Sequence, residues 1–200
     1  MIELAVFLGN PGREYARNRH NAGRLLAEKL PFYESLAWRK KHRGLYAAPD
    51  AAFFAGRRVH LLMPETYMNL SGESAGEAAS FFRIKAEDVL VVHDELELPL
   101  GIAAFKFGGG LGGHNGLRSI KAALGTADFW RFRIGIGRPS HDDISGWVLS
   151  DFSAAEEETL EPVLAASVQA LLEALCSGPE SLLPEWSRKT IHKENGHEKT

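Results

Sequence analysis

Cysteine is almost absent from this chain: Cys176 is the single one. That excludes a disulfide framework and a cysteine-rich metal site, and it fits a reducing compartment. Charge of one sign is lacking too. The formal net charge is −3, so any contact with a polyanion must come from a local basic patch. The start, Met1-Ile2-Glu3, has no basic segment leading into a signal-type apolar core. No apolar run reads as long enough to span a bilayer, and no internal repeat is evident. These absences leave a cytoplasmic protein free of the membrane as the expectation. Two hundred residues suit one ordinary domain with a real core.

What is present begins with Leu4-Ala5-Val6-Phe7-Leu8, closed by Gly9-Asn10-Pro11-Gly12. An apolar run without polar alternation, stopped by turn residues, predicts a strand buried on both faces and hence an α/β fold. In such sheets ligands bind beyond the carboxyl ends of strands, where Asn10 stands. His20 arrives after one polar loop, and Asn21 is placed to cap a helix through Leu25, Leu26 and Leu30. A carboxamide and an imidazole thus reach one strand end from two elements, a candidate reaction centre. An ordinary tight turn with a surface histidine is the equally open alternative.

Leu45-Tyr46-Ala47-Ala48, Ala52-Phe53-Phe54 and Val59-His60-Leu61-Leu62-Met63 read as two or three strands with hairpin turns. The basic run Trp38-Arg39-Lys40-Lys41-His42-Arg43 reads as a solvated edge in preference to a phosphate contact. Pro64-Glu65-Thr66-Tyr67-Met68-Asn69-Leu70-Ser71-Gly72 predicts a second strand-to-helix junction, with Ser71 or Asn69 as the cap. Val89-Leu90-Val91-Val92 is a third apolar run, ending in His93-Asp94-Glu95-Leu96. Successive strand residues point to opposite faces, so His93 and Asp94 cannot share a pocket while the strand lasts. Asp94, at the exit, can fix a histidine's tautomer and stabilise its charged form, or it can simply cap a turn.

Ile102-Ala103-Ala104-Phe105-Lys106-Phe107 predicts a strand running into five glycines within six positions, 108–113, and then His114-Asn115-Gly116. Such a backbone can approach a ligand closely. The dinucleotide-binding spacing is matched only loosely, and no Gly-Lys-Ser/Thr follows. A helix with Leu117, Ile120, Ala123 and Leu124 on one side comes next, and then a last strand from Phe129 to Pro139. Arg131, Arg133 and Arg138, with Lys106, Arg118 and Lys121, predict a basic cluster around the glycine loop, suited to a phosphodiester backbone. Ser153 opens a long helix with Glu156, Glu157 and Glu158 in its first turn. The expected organisation is one domain over residues 1–186 and a polar, disordered tail over 187–200.

Five of these segments resemble the bacterial-type peptidyl-tRNA hydrolase family: Leu8-Gly9-Asn10-Pro11-Gly12 with Tyr15 and Arg19-His20-Asn21-Ala22-Gly23; Pro64 through Gly72; His93-Asp94-Glu95-Leu96; Gly108 through Gly116; and Arg133-Ile134-Gly135-Ile136-Gly137. They come in the family's order and span nearly the whole chain up to the final helix. The resemblance implies a single α/β domain, a twisted mixed β-sheet flanked by α-helices, acting without a metal or cofactor. It implies His20 as the catalytic base, Asp94 as the residue that holds it, and Asn10 as the sensor of a blocked amino group. Tyr15, Tyr67, Met68, Asn69 and Asn115 match positions that contact the tRNA end or the peptide. The implied reaction cleaves the ester between a peptide and the tRNA 3′ end, freeing tRNA for translation, in a cytoplasmic monomer. Lys106, Arg118, Lys121 and Arg133 would then bind acceptor-stem phosphates. Leu111 interrupts the glycine run where relatives often carry histidine, and Glu97 and Leu100 replace a more usual aspartate and proline.

Two rival readings stay open. A non-catalytic RNA-binding member of the same fold would keep the basic face without needing His20 and Asp94. A nucleotide-binding enzyme built on the glycine loop would need a Walker-type lysine or an acidic ribose ligand, and neither is evident.

Overall fold

The structure is a computed structural model in which residues 1–140 and 142–191 are described. The chain runs β1 (Leu4–Phe7), α1 (Ala22–Glu28), β2 (Arg39–Lys41), β3 (Gly44–Ala47), β4 (His60–Pro64), α2 (Ser71–Phe82), β5 (Val89–Glu95), β6 (Ile102–Phe107), α3 (Asn115–Leu124), β7 (Trp130–Gly135), α4 (Ile144–Val148), α5 (Ala154–Ser177), α6 (Leu183–Trp186) and β8 (Lys189–Thr190), with short 3-10 turns between. The strands form one sheet in the order β2-β3-β4-β1-β5-β7-β6-β8. Its centre, β4-β1-β5-β7, is parallel, and the outer strands pair antiparallel. This is the mixed α/β sheet expected.

The unbroken apolar runs follow from burial on both faces. Ala5, Phe7, Leu90 and Val92 point into one layer with Leu25 and Leu26 of α1 and Leu164 and Leu171 of α5. Leu4, Val6, Leu8, Val89 and Val91 point into the other, against Ala75, Ala78 and Ala79 of α2 and Leu117 and Ile120 of α3. Two glycines set how closely the layers approach. A Cβ on Gly23 would lie 2.5 Å from the carbonyl oxygen of Val92, and one on Gly72 would lie 2.0 Å from that of Ser119.

Three expectations need correction. Ala51–Phe54 is a 3-10 turn and not a strand, because the Asp50 carboxylate accepts the Ala52 amide and Ala55 leaves the turn with φ 52°. Among the described residues one helix, α5, is long and apolar enough to cross a bilayer by length and composition. Glu161 and Glu173 interrupt its apolar runs in sequence, and its Leu160, Val163, Leu164, Leu171 and Leu175 are spent in the core. Its start is the expected one: Ser153 and Glu156 form a reciprocal capping box. Finally, order does not stop at Trp186. Lys189–Thr190 pair with the open edge of β6, and the Ile191 amide bonds to the Gly101 carbonyl. The rest of the expected tail, 192–200, lies outside the described residues.

Candidate active site

From β1 the chain goes to β4 on one side, and then returns to β5 on the other. The strand order therefore reverses at β1, and a crevice opens at the carboxyl ends of β1 and β5. Asn10 follows β1 and Asp94 is the penultimate residue of β5. A cleft of about 700 Å³ lies there, and its lining includes Asn10, Tyr15, His20, Asp94 and His114. Tyr67, Met68, Asn69 and Asn115 also line it.

His20 sits on a 3-10 turn just before α1 and is largely buried. Its Nδ1 lies 2.9 and 3.0 Å from the two carboxylate oxygens of Asp94. Burial works against a charged imidazole, but the Asp94 carboxylate and its hydrogen bond outweigh it, so the His20 pKa is raised above the ordinary value. Asp94 is 2% exposed. Burial alone would raise its pKa, yet the two imidazoles facing it hold it well below the usual carboxylate range.

The second imidazole is His114, which the sequence reading did not select. Its Nε2 lies 2.9 Å from Asp94 Oδ1. It stands at the N-cap of α3, where its Nδ1 accepts the Gly116 and Leu117 amides at 3.1 and 3.3 Å. Amides only donate, so Nδ1 carries a lone pair and the proton is on Nε2, aimed at Asp94. Asp94 thus receives one N–H from each histidine. The Nε2 of His20 is left as the free ring nitrogen. His93 takes the other side of the strand, as alternation requires: it bonds to the Asp94 carbonyl at 2.6 Å and packs edge-on against His114.

Asn10 is fixed from three directions. Its Oδ1 accepts the Met68 amide at 2.8 Å. Its backbone exchanges two bonds with the Asn21 carboxamide, at 2.8 and 3.0 Å. Asn21 therefore stands at the start of α1 without capping it by side chain, contrary to expectation. Neither Ser71 nor Asn69 caps α2; the Ser71 hydroxyl bonds back to the Met68 carbonyl. With Oδ1 committed, Asn10 offers its Nδ2 hydrogens. Asn69 and Asn115 are exposed at the rim, and Tyr67 is 60% exposed. The opposite wall, Ile144, Ser145, Val148 and Leu149, belongs to a segment the sequence reading passed over; Asp143, whose side chain caps α4, was its signal.

The basic residues are divided in use. Arg131, 1% exposed, donates to the Gly108 and Gly110 carbonyls and so anchors the glycine loop from below. Arg133 lies 3.8 Å from Glu95 and is mostly buried. Arg138 pairs with Glu97 at the cleft's edge. Lys106 is half-buried opposite Arg131 on β6. Arg118 and Lys121 line a second hollow of about 610 Å³ beside the glycine loop. The expected single cluster is thus a loop anchor plus a smaller group of cations available at the surface.

His20, Asp94 and His114 bring one ligand atom each within 4.8 Å of the others. Their protons already occupy that space. A cation would have to displace the Nε2 proton of His114, whose Nδ1 is committed to two amides, so the set suits a hydrogen-bonded chain. Chemically the arrangement is a general base held by a buried carboxylate, with amide donors beside it.

An α/β fold with its site at the sheet's switch point and a carboxylate-held imidazole there suits hydrolytic chemistry. A profile of the family "Peptidyl-tRNA hydrolase" matches residues 4–194. A peptidyl-tRNA hydrolase of Treponema pallidum (strain Nichols) is 49% identical over 196 residues, covering 95% of this chain and 96% of its own. One from Haemophilus influenzae (strain 86-028NP) is 52% identical over 167 residues, covering 82% of this chain and 84% of its own. The crystal structure of peptidyl-tRNA hydrolase from Acinetobacter baumannii superposes with a TM-score of 0.81 at 36% identity, covering 92% of this chain and 91% of that one. The chain belongs to the peptidyl-tRNA hydrolase family.

Proposed function

We propose that this chain hydrolyses the ester between a peptide, or an N-blocked aminoacyl group, and the 3′ end of tRNA, with water as the attacking group and His20 as its base. The observation that carries the reading is the His20–Asp94 pair on the floor of a cleft edged by carboxamides. Nδ1–H of His20 is held by Asp94, so Nε2 takes a proton from water as its oxygen attacks the ester carbonyl. The Nδ2 hydrogens of Asn10, in the same cleft, donate to the developing oxyanion or to the peptide carbonyl, with Asn69 and Asn115 as further donors from the rim. Collapse of the tetrahedral intermediate breaks the carbon–oxygen bond to the ribose. His20 returns its proton to the leaving 3′-oxygen, giving free tRNA and a peptide carboxylate. Among the described residues no serine or cysteine is hydrogen-bonded to His20, which favours direct attack over a covalent intermediate.

Selectivity for a blocked amine follows from the same geometry. The Asn10 donors suit a neutral acyl carbonyl, whereas a free ammonium would meet N–H groups and lose its water. Tyr15, Tyr67 and Met68 line the path of the substrate. Lys106, Arg118 and Lys121 are the cations available to the phosphates of the acceptor stem, with Arg133 held back beside Glu95. The reading includes a metal-free monomer in the cytoplasm, away from membranes. The packing of α5 into the core supports the last point.

The test is release of the acyl group from N-acetylaminoacyl-tRNA, with unblocked aminoacyl-tRNA as control and His20→Ala alongside. Selective hydrolysis lost in the variant is expected. Tight tRNA binding without hydrolysis by the wild type would replace this reading with the RNA-binding one.

A further inference from the structure

Arg19, the residue before His20, is 4% exposed, and one distant segment wraps its guanidinium. Nη1 donates to Ser150 Oγ at 2.7 Å, to the Asp151 carbonyl at 2.6 Å and to the Ser150 carbonyl at 3.2 Å. Nη2 reaches both carboxylate oxygens of Glu156, at 2.8 and 2.7 Å. The Trp147 ring lies 3.8 Å from the guanidinium carbon. The backbone follows suit: the Arg19 amide donates to the Ser150 carbonyl at 3.0 Å, and Asn18 bridges to Asp151. Trp147 in turn donates its Nε1–H to the Gly137 carbonyl at 2.9 Å. Both terminal nitrogens are thus satisfied and only Nε lacks a partner; a buried guanidinium needs such partners to offset its lost hydration.

The clasped segment has a second side. Ile144, Ser145, Val148 and Leu149 form a wall of the cleft. One side chain, adjacent in sequence to the base, therefore ties down the wall that faces it. We infer that Arg19 is a positioning residue that holds the wall at 144–149 at a fixed spacing from His20, and that the grip of this wall on the acyl half of the substrate depends on it. Charge alone does not meet the need. A lysine would supply one ammonium in place of a two-pronged fork, and no planar face for Trp147.

The kinetic arm of the test rests on the proposed hydrolysis; a second arm does not. Arg19→Lys and Glu156→Gln break the same contact from its two ends, and Glu156→Gln keeps a side chain able to serve the capping box, so it carries the test if Arg19→Lys fails to fold. In both variants, hydrogen exchange of the amides at 144–149 should quicken roughly tenfold while the central strands stay protected. KM for N-acetylleucyl-tRNA should rise roughly 5–10-fold, that for N-acetylglycyl-tRNA by less than about twofold, with kcat and the acid limb of the pH profile unchanged. Unchanged exchange in both variants would overturn the inference. So would an equal loss on both substrates, or a displaced acid limb, which would make Arg19 an electrostatic partner of His20. Wild-type inactivity on both substrates would overturn the proposed reaction, and exchange alone would then decide the clasp.

Discussion

Replacing Asp94 with asparagine changes almost no volume and reverses the proton pattern of the site. The carboxylate accepts from His20 Nδ1 and from His114 Nε2. Asparagine has one acceptor and one donor end. His114 cannot turn to accept, because its Nδ1 is committed to the Gly116 and Leu117 amides. The asparagine oxygen must therefore serve His114, and its NH₂ must face His20 Nδ1. His20 is then driven to the tautomer protonated on Nε2, the nitrogen that should take the proton from water. A base displaced in this way is expected to cost about 10³–10⁴-fold in kcat.

The assay is single-turnover hydrolysis of N-acetylaminoacyl-tRNA from pH 5 to 9. In the wild type the rate should rise as His20 deprotonates, with its acid limb above the ordinary imidazole value of about 6.5, since Asp94 raises the His20 pKa. In Asp94→Asn burial dominates, and the residual limb should move to lower pH. Stability should respond too. The depressed Asp94 pKa contributes stability above the ordinary carboxylate range that is lost as pH falls. The raised His20 pKa contributes stability below the ordinary imidazole value that is lost as pH rises through the raised one. In the variant the Asp94 slope should vanish and the His20 slope should change sign, stability falling as pH drops below the ordinary imidazole value. A kcat within tenfold of wild type, or an unmoved acid limb, would refute the tautomer argument.

His114→Asn keeps a good helix cap but is too short to reach Asp94, so kcat should fall about tenfold and the buried carboxylate, left with one histidine, should cost about 1–3 kcal/mol of stability; full activity would show that His114 does not help to set the His20 proton. Gly23→Ala places a methyl group 2.5 Å from the Val92 carbonyl and 2.7 Å from that of Leu8, both backbone, so urea unfolding should show about 3 kcal/mol of destabilisation. Lys106→Ala with Arg118→Ala should weaken tRNA binding and flatten its salt dependence by about two phosphate contacts, with kcat at saturation unchanged. An unaltered slope of log Kd against log salt would remove these residues from the RNA contact.

Some of this was legible in the chain because local chemistry and global role agree. The runs at β1 and at residues 89–92 of β5 lack polar alternation since both sheet faces are covered. The start of α5 announces itself through Ser153 and Glu156. Asn10, His20 and Asp94 were identifiable because each follows or closes a strand or precedes a helix, where side chains can converge. What escaped depended on pairing at a distance. His114 sits in a glycine run that draws attention to its backbone, and its tie to Asp94 spans 20 residues. β8 is two residues whose only reason to be extended is the open edge of β6. Arg131 and Arg133 look alike in sequence, yet the first is spent on the Gly108 and Gly110 carbonyls.

Both groups proposed to act on the ester take their orientation from backbone amides, which cannot exchange donor for acceptor. The first amides of α3 fix the His114 tautomer, His114 and Asp94 fix Nδ1–H on His20, and Nε2 is left for the proposed role of base. The Met68 amide fixes the Asn10 carboxamide with its donors free. The two chains of orientation meet at Gly116. A Cβ there would lie 2.5 Å from Met68 Sδ, 2.9 Å from Leu8 Cδ1 and 3.1 Å from His114 Cε1. The residue that lets α3 come close enough to set the histidine's proton is the same one that lets the Met68 turn seat against it. A side chain at position 116 would therefore disturb the base and the amide donor together, although it touches neither the water nor the ester.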